Sequence, residues 1–131
     1  MTQENIEKFL ARFYSFNDAV IVKIDIKFRH LSLPTVINVL LSTRDAESNV
    51  ENEWVNVSLT VKDVTAFRFM ESTKASFQVL SDGIHIAILD ESIFIDFGDF
   101  DELPTDFNEL ESSRYFVKGR DFKWVILPYE E

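Results

Sequence analysis

The chain has 131 residues, 46% of them hydrophobic and 27% charged, which fits one domain with a real core and excludes an intrinsically disordered chain. Zero cysteines remove disulfides, thiolate catalysis and Cys-based zinc sites, and apolar runs of no more than four residues leave no membrane-spanning helix, which needs about 20. Lys plus Arg number 13 against 23 Asp plus Glu, a net charge of −10, so nucleic acid and anionic membrane surfaces are poor partners, both being bound mainly through Lys and Arg.

The opening segment, Met1-Thr2-Gln3-Glu4-Asn5-Ile6-Glu7-Lys8, has acids where a signal peptide has a basic end and an apolar stretch, and a cytoplasmic location is expected. Ile6, Phe9, Leu10, Phe13 and Phe16 follow the 3.6-residue period, with Glu4, Glu7, Lys8 and Arg12 on the other faces, which predicts an amphipathic helix. Thr2 suits its N-cap and Asn17-Asp18 its end.

The period then switches to two. Val20, Val22, Ile24, Ile26 and Phe28 alternate with charged residues, a half-buried strand. Past Pro34, Ile37, Val39, Leu41 and Thr43 form a second alternating set, and after a polar loop at 44–53, Val55, Val57, Leu59 and Val61 form a third. Phe67 and Phe69 mark a fourth element, and Phe77 and Val79 lead into the turn Ser81-Asp82-Gly83. Ile84, Ile86 and Ile88, with Ile93, Ile95 and Phe97 beyond Asp90-Glu91, predict a hairpin. In the acidic stretch 99–113, Thr105 suits the cap of a short helix with Phe107 and Leu110 inward. Tyr115 and Val117, a turn at Gly119, and Phe122, Trp124 and Ile126 close the chain. The expected fold is a single α+β domain over residues 1–131. It has an N-terminal amphipathic helix, a mainly antiparallel sheet of about seven strands and a short helix near 105–112.

Familiar catalytic signatures are missing. His30 and His85 lack any spacing that would bring them together on a metal, and both read as ordinary surface histidines. Asp96-Phe97-Gly98 spells a kinase magnesium motif, but the chain is too short for a kinase and has no Gly-rich loop. Asp99-Phe100-Asp101-Glu102 lacks the twelve-position calcium loop. With no G-x-S-x-G, phosphate loop or dinucleotide fingerprint, the reading is a non-enzyme with no cofactor and no metal. The 18 aromatics fall mostly on apolar phases and are assigned to the core.

Charge placement is the informative feature. Residues 82–131 hold 4 basic and 13 acidic side chains, and from Asp90 to Glu111 there are nine acids with no Lys or Arg. Such a surface serves solubility or docks a basic protein. In the docking reading Asp99, Asp101, Glu102, Asp106, Glu109 and Glu111 are the partner-binding charges, with Phe97, Phe100 and Phe107 as apolar anchors.

The C-terminal half resembles small bacterial immunity proteins, the cytosolic antidotes of secreted or contact-delivered toxins. The residues that carry the resemblance are Val79-Leu80-Ser81-Asp82-Gly83-Ile84-His85-Ile86, then Ile93-Phe94-Ile95-Asp96-Phe97. They continue with Leu110-Glu111-Ser112-Ser113-Arg114-Tyr115-Phe116-Val117-Lys118-Gly119 and Trp124-Val125-Ile126. Where such proteins more usually carry Asp after the second Ser, this chain has Arg114. The resemblance spans residues 77–127. It implies an acidic, non-catalytic α+β protein that binds a cognate toxin domain, often a basic nuclease, and blocks its active site. The alternative is a non-enzymatic small-molecule or regulatory binding module.

Overall fold

A computed structural model describes residues 2–50, 53–70 and 79–127. Helix α1 (Gln3–Arg12) begins at the expected cap: the Thr2 hydroxyl accepts the Asn5 N–H at 3.1 Å. It ends short of Asn17-Asp18. Phe13 leaves the helical region, and Tyr14, Ser15 and Phe16 form a 3₁₀ turn with φ of +55°, +55° and +59°. Each left-handed residue costs on the order of 1–2 kcal/mol. Packing holds them there: Phe16 is fully buried with its ring 5.3 Å from both Phe9 and Phe13, and the Ser15 carbonyl accepts the Ile84 N–H at 2.9 Å.

Nine strands are assigned among the described residues: β1 (Ala19–Lys27), β2 (Val36–Arg44), β3 (Trp54–Lys62), β4 (Ala66–Phe69), β5 (Val79–Leu80), β6 (His85–Leu89), β7 (Ser92–Asp96), β8 (Tyr115–Gly119) and β9 (Asp121–Leu127). A short helix, α2 (Phe107–Leu110), precedes β8. The class is α+β and every pairing is antiparallel, but the strands form two sheets, ordered β5-β1-β2-β3-β9 and β4-β8-β7-β6. The count exceeds about seven because β4 and β5, with four and two residues, are too short to show a clear period. Phe77 lies outside the described residues, as does the Phe107 side chain.

The expected inward phases of β2 and β3 hold: Ile37, Val39, Leu41, Val57, Leu59 and Val61 are all fully buried. That of β1 does not. Ala19 and Ile21 point inward, a bulge falls at Val22 between Ile21 and Lys23, and only then do Ile24 and Ile26 face the core. Val22 is left 53% exposed and Phe28 is exposed as well. A bulge adds one residue to one strand and resets its faces, so a strict period of two cannot be carried across it.

The sheets meet at a shared corner. After β3 the chain turns through Asp63–Thr65 into β4, and beside it β8 passes through Gly119 and Arg120 into β9, tied by Arg120 N–H to the Lys62 carbonyl at 3.0 Å and Thr65 N–H to the Lys118 carbonyl at 2.9 Å. One large core lies between α1, the inner face of the five-stranded sheet and one face of the four-stranded sheet. A smaller core of Phe94, Phe116 and Leu110, with Leu103, occupies the other face of the four-stranded sheet. No helix among the described residues is long and apolar enough to cross a membrane.

Gly83, at φ +72°, closes the 3₁₀ turn against the sheet; a Cβ there would lie 2.2 Å from the Ser15 carbonyl oxygen. Gly83→Ala is expected to cost at least about 2 kcal/mol in urea unfolding, while Ser81→Ala beside it stays near wild type. Equal stabilities would show that the contact between turn and sheet is not required.

Candidate acidic docking site

The acidic segment 99–113 lies over the smaller core, and its apolar footing is Leu103 and Leu110 packed with Phe94 and Phe116. The last two rings stack 5.0 Å apart at 18°. Of the partner anchors expected from sequence, Phe97 is wholly buried in the main core and so out of a partner's reach, and Phe100 is half-buried. Leu103 and Leu110 fix the segment to the sheet, and its charges apart from Asp99 face outward.

Asp96, the last residue of β7, organises the segment. Its side chain has no solvent exposure. It accepts the Ser113 hydroxyl at 2.7 Å and the backbone N–H groups of Phe100 and Asp99 at 3.1 and 3.3 Å. One carboxyl group therefore ties the start of the segment to its end. Ser113 Oγ in turn accepts the Tyr115 N–H at 3.1 Å. His85 is not an ordinary surface histidine: its Nδ1 is buried 3.5 Å from Asp96 Oδ2, with no hydrogen-bond partner among the described residues. Pairing of β6 with β7 sets His85 directly opposite Asp96. His30 is exposed, as expected.

Two arginines complete the frame. Arg68 donates to the carbonyls of Glu111 and Ser113 at 2.8 and 3.0 Å and lies over the Phe116 ring. Arg114, the residue that departs from the resembled pattern, binds Asp99 through its backbone N–H at 2.7 Å and through Nε and Nη2 at 3.0 and 2.7 Å. Burial is the largest influence on Asp99 and pushes its pKa up. The Arg114 hydrogen bonds and charge together outweigh it and hold the carboxyl below the usual range. With its side chain only 10% exposed against 60% for Arg114, Asp99 is a structural ion-pair partner rather than a free docking charge.

The other expected charges are exposed. Asp106, not Thr105, caps α2, accepting the Asn108 N–H at 2.9 Å, and Glu111 lies 3.8 Å from Lys118. Asp101, Glu102 and Glu109 face solvent. Asp101 also meets Asp82, which the sequence placed in a turn and not among the docking charges. The Asp82 pKa is raised, because its protonated carboxyl donates a hydrogen bond to the Asp101 carboxylate and the negative charge of Asp101 disfavours ionisation beside it. Asp18, Asp82, Asp101 and His85 border a groove of about 590 Å³ at this end of the molecule. Among the described residues no three His, Asp or Glu side chains are placed to hold a metal ion.

At the end of α1 Arg12 grips Asp45 through Nε and Nη2 at 3.0 and 3.1 Å, and its hydrogen bonds hold Asp45 below the usual carboxylate range. Asp45 and Asp99, both lowered, stabilise the fold fully above the unfolded value of about 3.9, and that stability is lost as pH falls through their folded values. Asp45→Asn is therefore expected to cost about 2 kcal/mol near neutral pH and progressively less below about pH 4. A deficit independent of pH would remove the ion pair as its cause. For the buried network, Asp96→Ala leaves three donors without an acceptor and should cost roughly 3 kcal/mol, and Ser113→Ala about 1–3 kcal/mol, while Glu102→Ala stays within about 0.5 kcal/mol. Urea unfolding measures all three, and an Asp96→Ala protein as stable as wild type would overturn the organising role. Compared with protein-family models, with curated proteins and with solved structures, the chain matches none.

Proposed function

We propose that this chain is an immunity-type protein that binds a cognate, basic toxin domain and neutralises it by covering its active site. The observation that carries the reading is a surface of exposed, like-charged side chains: Asp101, Glu102, Asp106, Glu109 and Glu111 project from a segment fixed by Asp96, Arg68, Leu103 and Leu110, and Asp82 joins them from the turn between β5 and β6. Crowded carboxylates repel one another and oppose folding, and a basic partner relieves that repulsion while its approach is accelerated by the same field. Asp99 drops out of the docking set because Arg114 already neutralises it. No part of the reading needs a cofactor or a catalytic group on this chain.

The test has two stages. The tagged protein is isolated from its native cells and copurifying proteins are identified by mass spectrometry. A basic domain that is toxic when expressed alone and harmless when coexpressed with this chain supports the function, whereas recovery of no toxic partner overturns it. The triple variant Asp101→Lys, Glu102→Lys and Glu109→Lys, which spares the cap and the buried network, is then expected to slow association about ten-fold or more at low salt and to converge on wild type at high salt. Unchanged kinetics would keep the function and discard this surface.

A further inference from the structure

The two edges of the five-stranded sheet are built differently. On one side β1 is guarded: β5 pairs with its start, the bulge at Val22 interrupts it, and Lys23, Asp25 and Lys27 line the remainder. These are the devices that keep a sheet edge from recruiting another strand. On the other side β9 carries few of them. Its seven residues pair with β3 in unbroken register from Asp121 to Leu127, its other edge has no partner among the described residues, and it contains neither Pro nor Gly. Trp124 to Leu127 is an uncharged run, with Val125 54% and Leu127 40% exposed. Unpaired N–H and C=O groups along such a strand are a template for a further strand.

A groove of about 490 Å³ runs between α1 and β9 beside this edge. Its floor is aromatic: Phe9 lies 5.5 Å from Phe122 and 5.2 Å from Trp124. Its border carries Lys8, Arg12 and Lys123 together with the acid Glu47. Arg12 is held by Asp45 and Glu47, and Lys8 pairs with Glu4 only in an exposed contact, while Lys123 has no ion-pair partner among the described residues. A second copy of the chain suits this edge poorly, since it brings together two proteins of net charge −10.

We propose that β9 is a strand-addition site for an extended segment of a partner protein, with apolar side chains on one phase and acidic side chains on the other. The backbone edge supplies the pairing, the aromatic floor takes the apolar phase, and Lys123 and Lys8 meet the acids. This surface differs from that of the docking site above, and the proposal stands independently of that reading.

The probe is a capped peptide of about seven residues alternating glutamate with valine and phenylalanine, titrated into the whole ¹⁵N-labelled protein, beside a peptide with lysine for glutamate. The glutamate peptide is expected to slow exchange of the outward amides of residues 121–127 about ten-fold or more, with the lysine peptide at least about ten times weaker. Lys123→Glu, an exposed change that leaves the fold intact, should narrow or reverse that preference. Shifts centred away from β9, equal binding of the two peptides, no response at millimolar peptide, or a β9-paired dimer of the free protein in sedimentation would each overturn the proposal.

Discussion

A carboxyl group placed beyond the reach of solvent must find donors inside the protein, because leaving it without them costs several kcal/mol. At Asp96 that requirement shapes a whole region. The donors come from Phe100 and Asp99, just beyond its own strand, and from Ser113, seventeen residues away at the other end of the acidic segment. Satisfying one side chain therefore closes a long loop, and the loop then presents its charges in a fixed arrangement. Arg68 and Arg114 strengthen the closure by taking carbonyls and a carboxylate that would otherwise also need partners.

The four-stranded sheet makes this possible because both of its faces are covered. One face completes the main core; the other holds Phe94 and Phe116, on which Leu103 and Leu110 rest. A stretch dense in acids would not pack on a sheet by itself. Two leucines at suitable positions and one shared carboxyl are enough to hold it there, so the exposed acids are dictated by the fold rather than by a lack of structure.

Charge is segregated with the architecture. The basic side chains of the first half serve mostly local tasks: Arg12 clamps Asp45 and covers Trp124, and Arg44 lies over Tyr14. Among the described residues, Asp101, Glu102, Asp106 and Glu109 of the second half have no ion-pair partner, whereas Asp99 is held by Arg114 and Glu111 lies near Lys118. The exposed acids thus gather over the four-stranded sheet, while beside β9 Lys8 and Arg12 stand in ion pairs with Glu4, Asp45 and Glu47.

Periodicity alone determined α1, the inward faces of β2 and β3, the hairpin of β6 and β7 and the antiparallel α+β class, since each rests on neighbours one turn or two residues apart. Charge counting alone located the exposed acids Asp101, Glu102, Asp106, Glu109 and Glu111. Tertiary structure decided everything that depends on residues far apart in the chain. It placed the bulge at Val22 and the left-handed exit from α1, which local pattern does not encode, and it divided the strands between two sheets. Phe97 went to the core because β7 packs on the inner face, and Asp99 left the docking set because Arg114, fifteen residues on, folds back onto it. Asp82 joined the acidic site, and His85 came to face Asp96, only through the pairing of strands and turns. Local sequence carries the period and the charge; the partner of each charge is settled by which strands lie side by side.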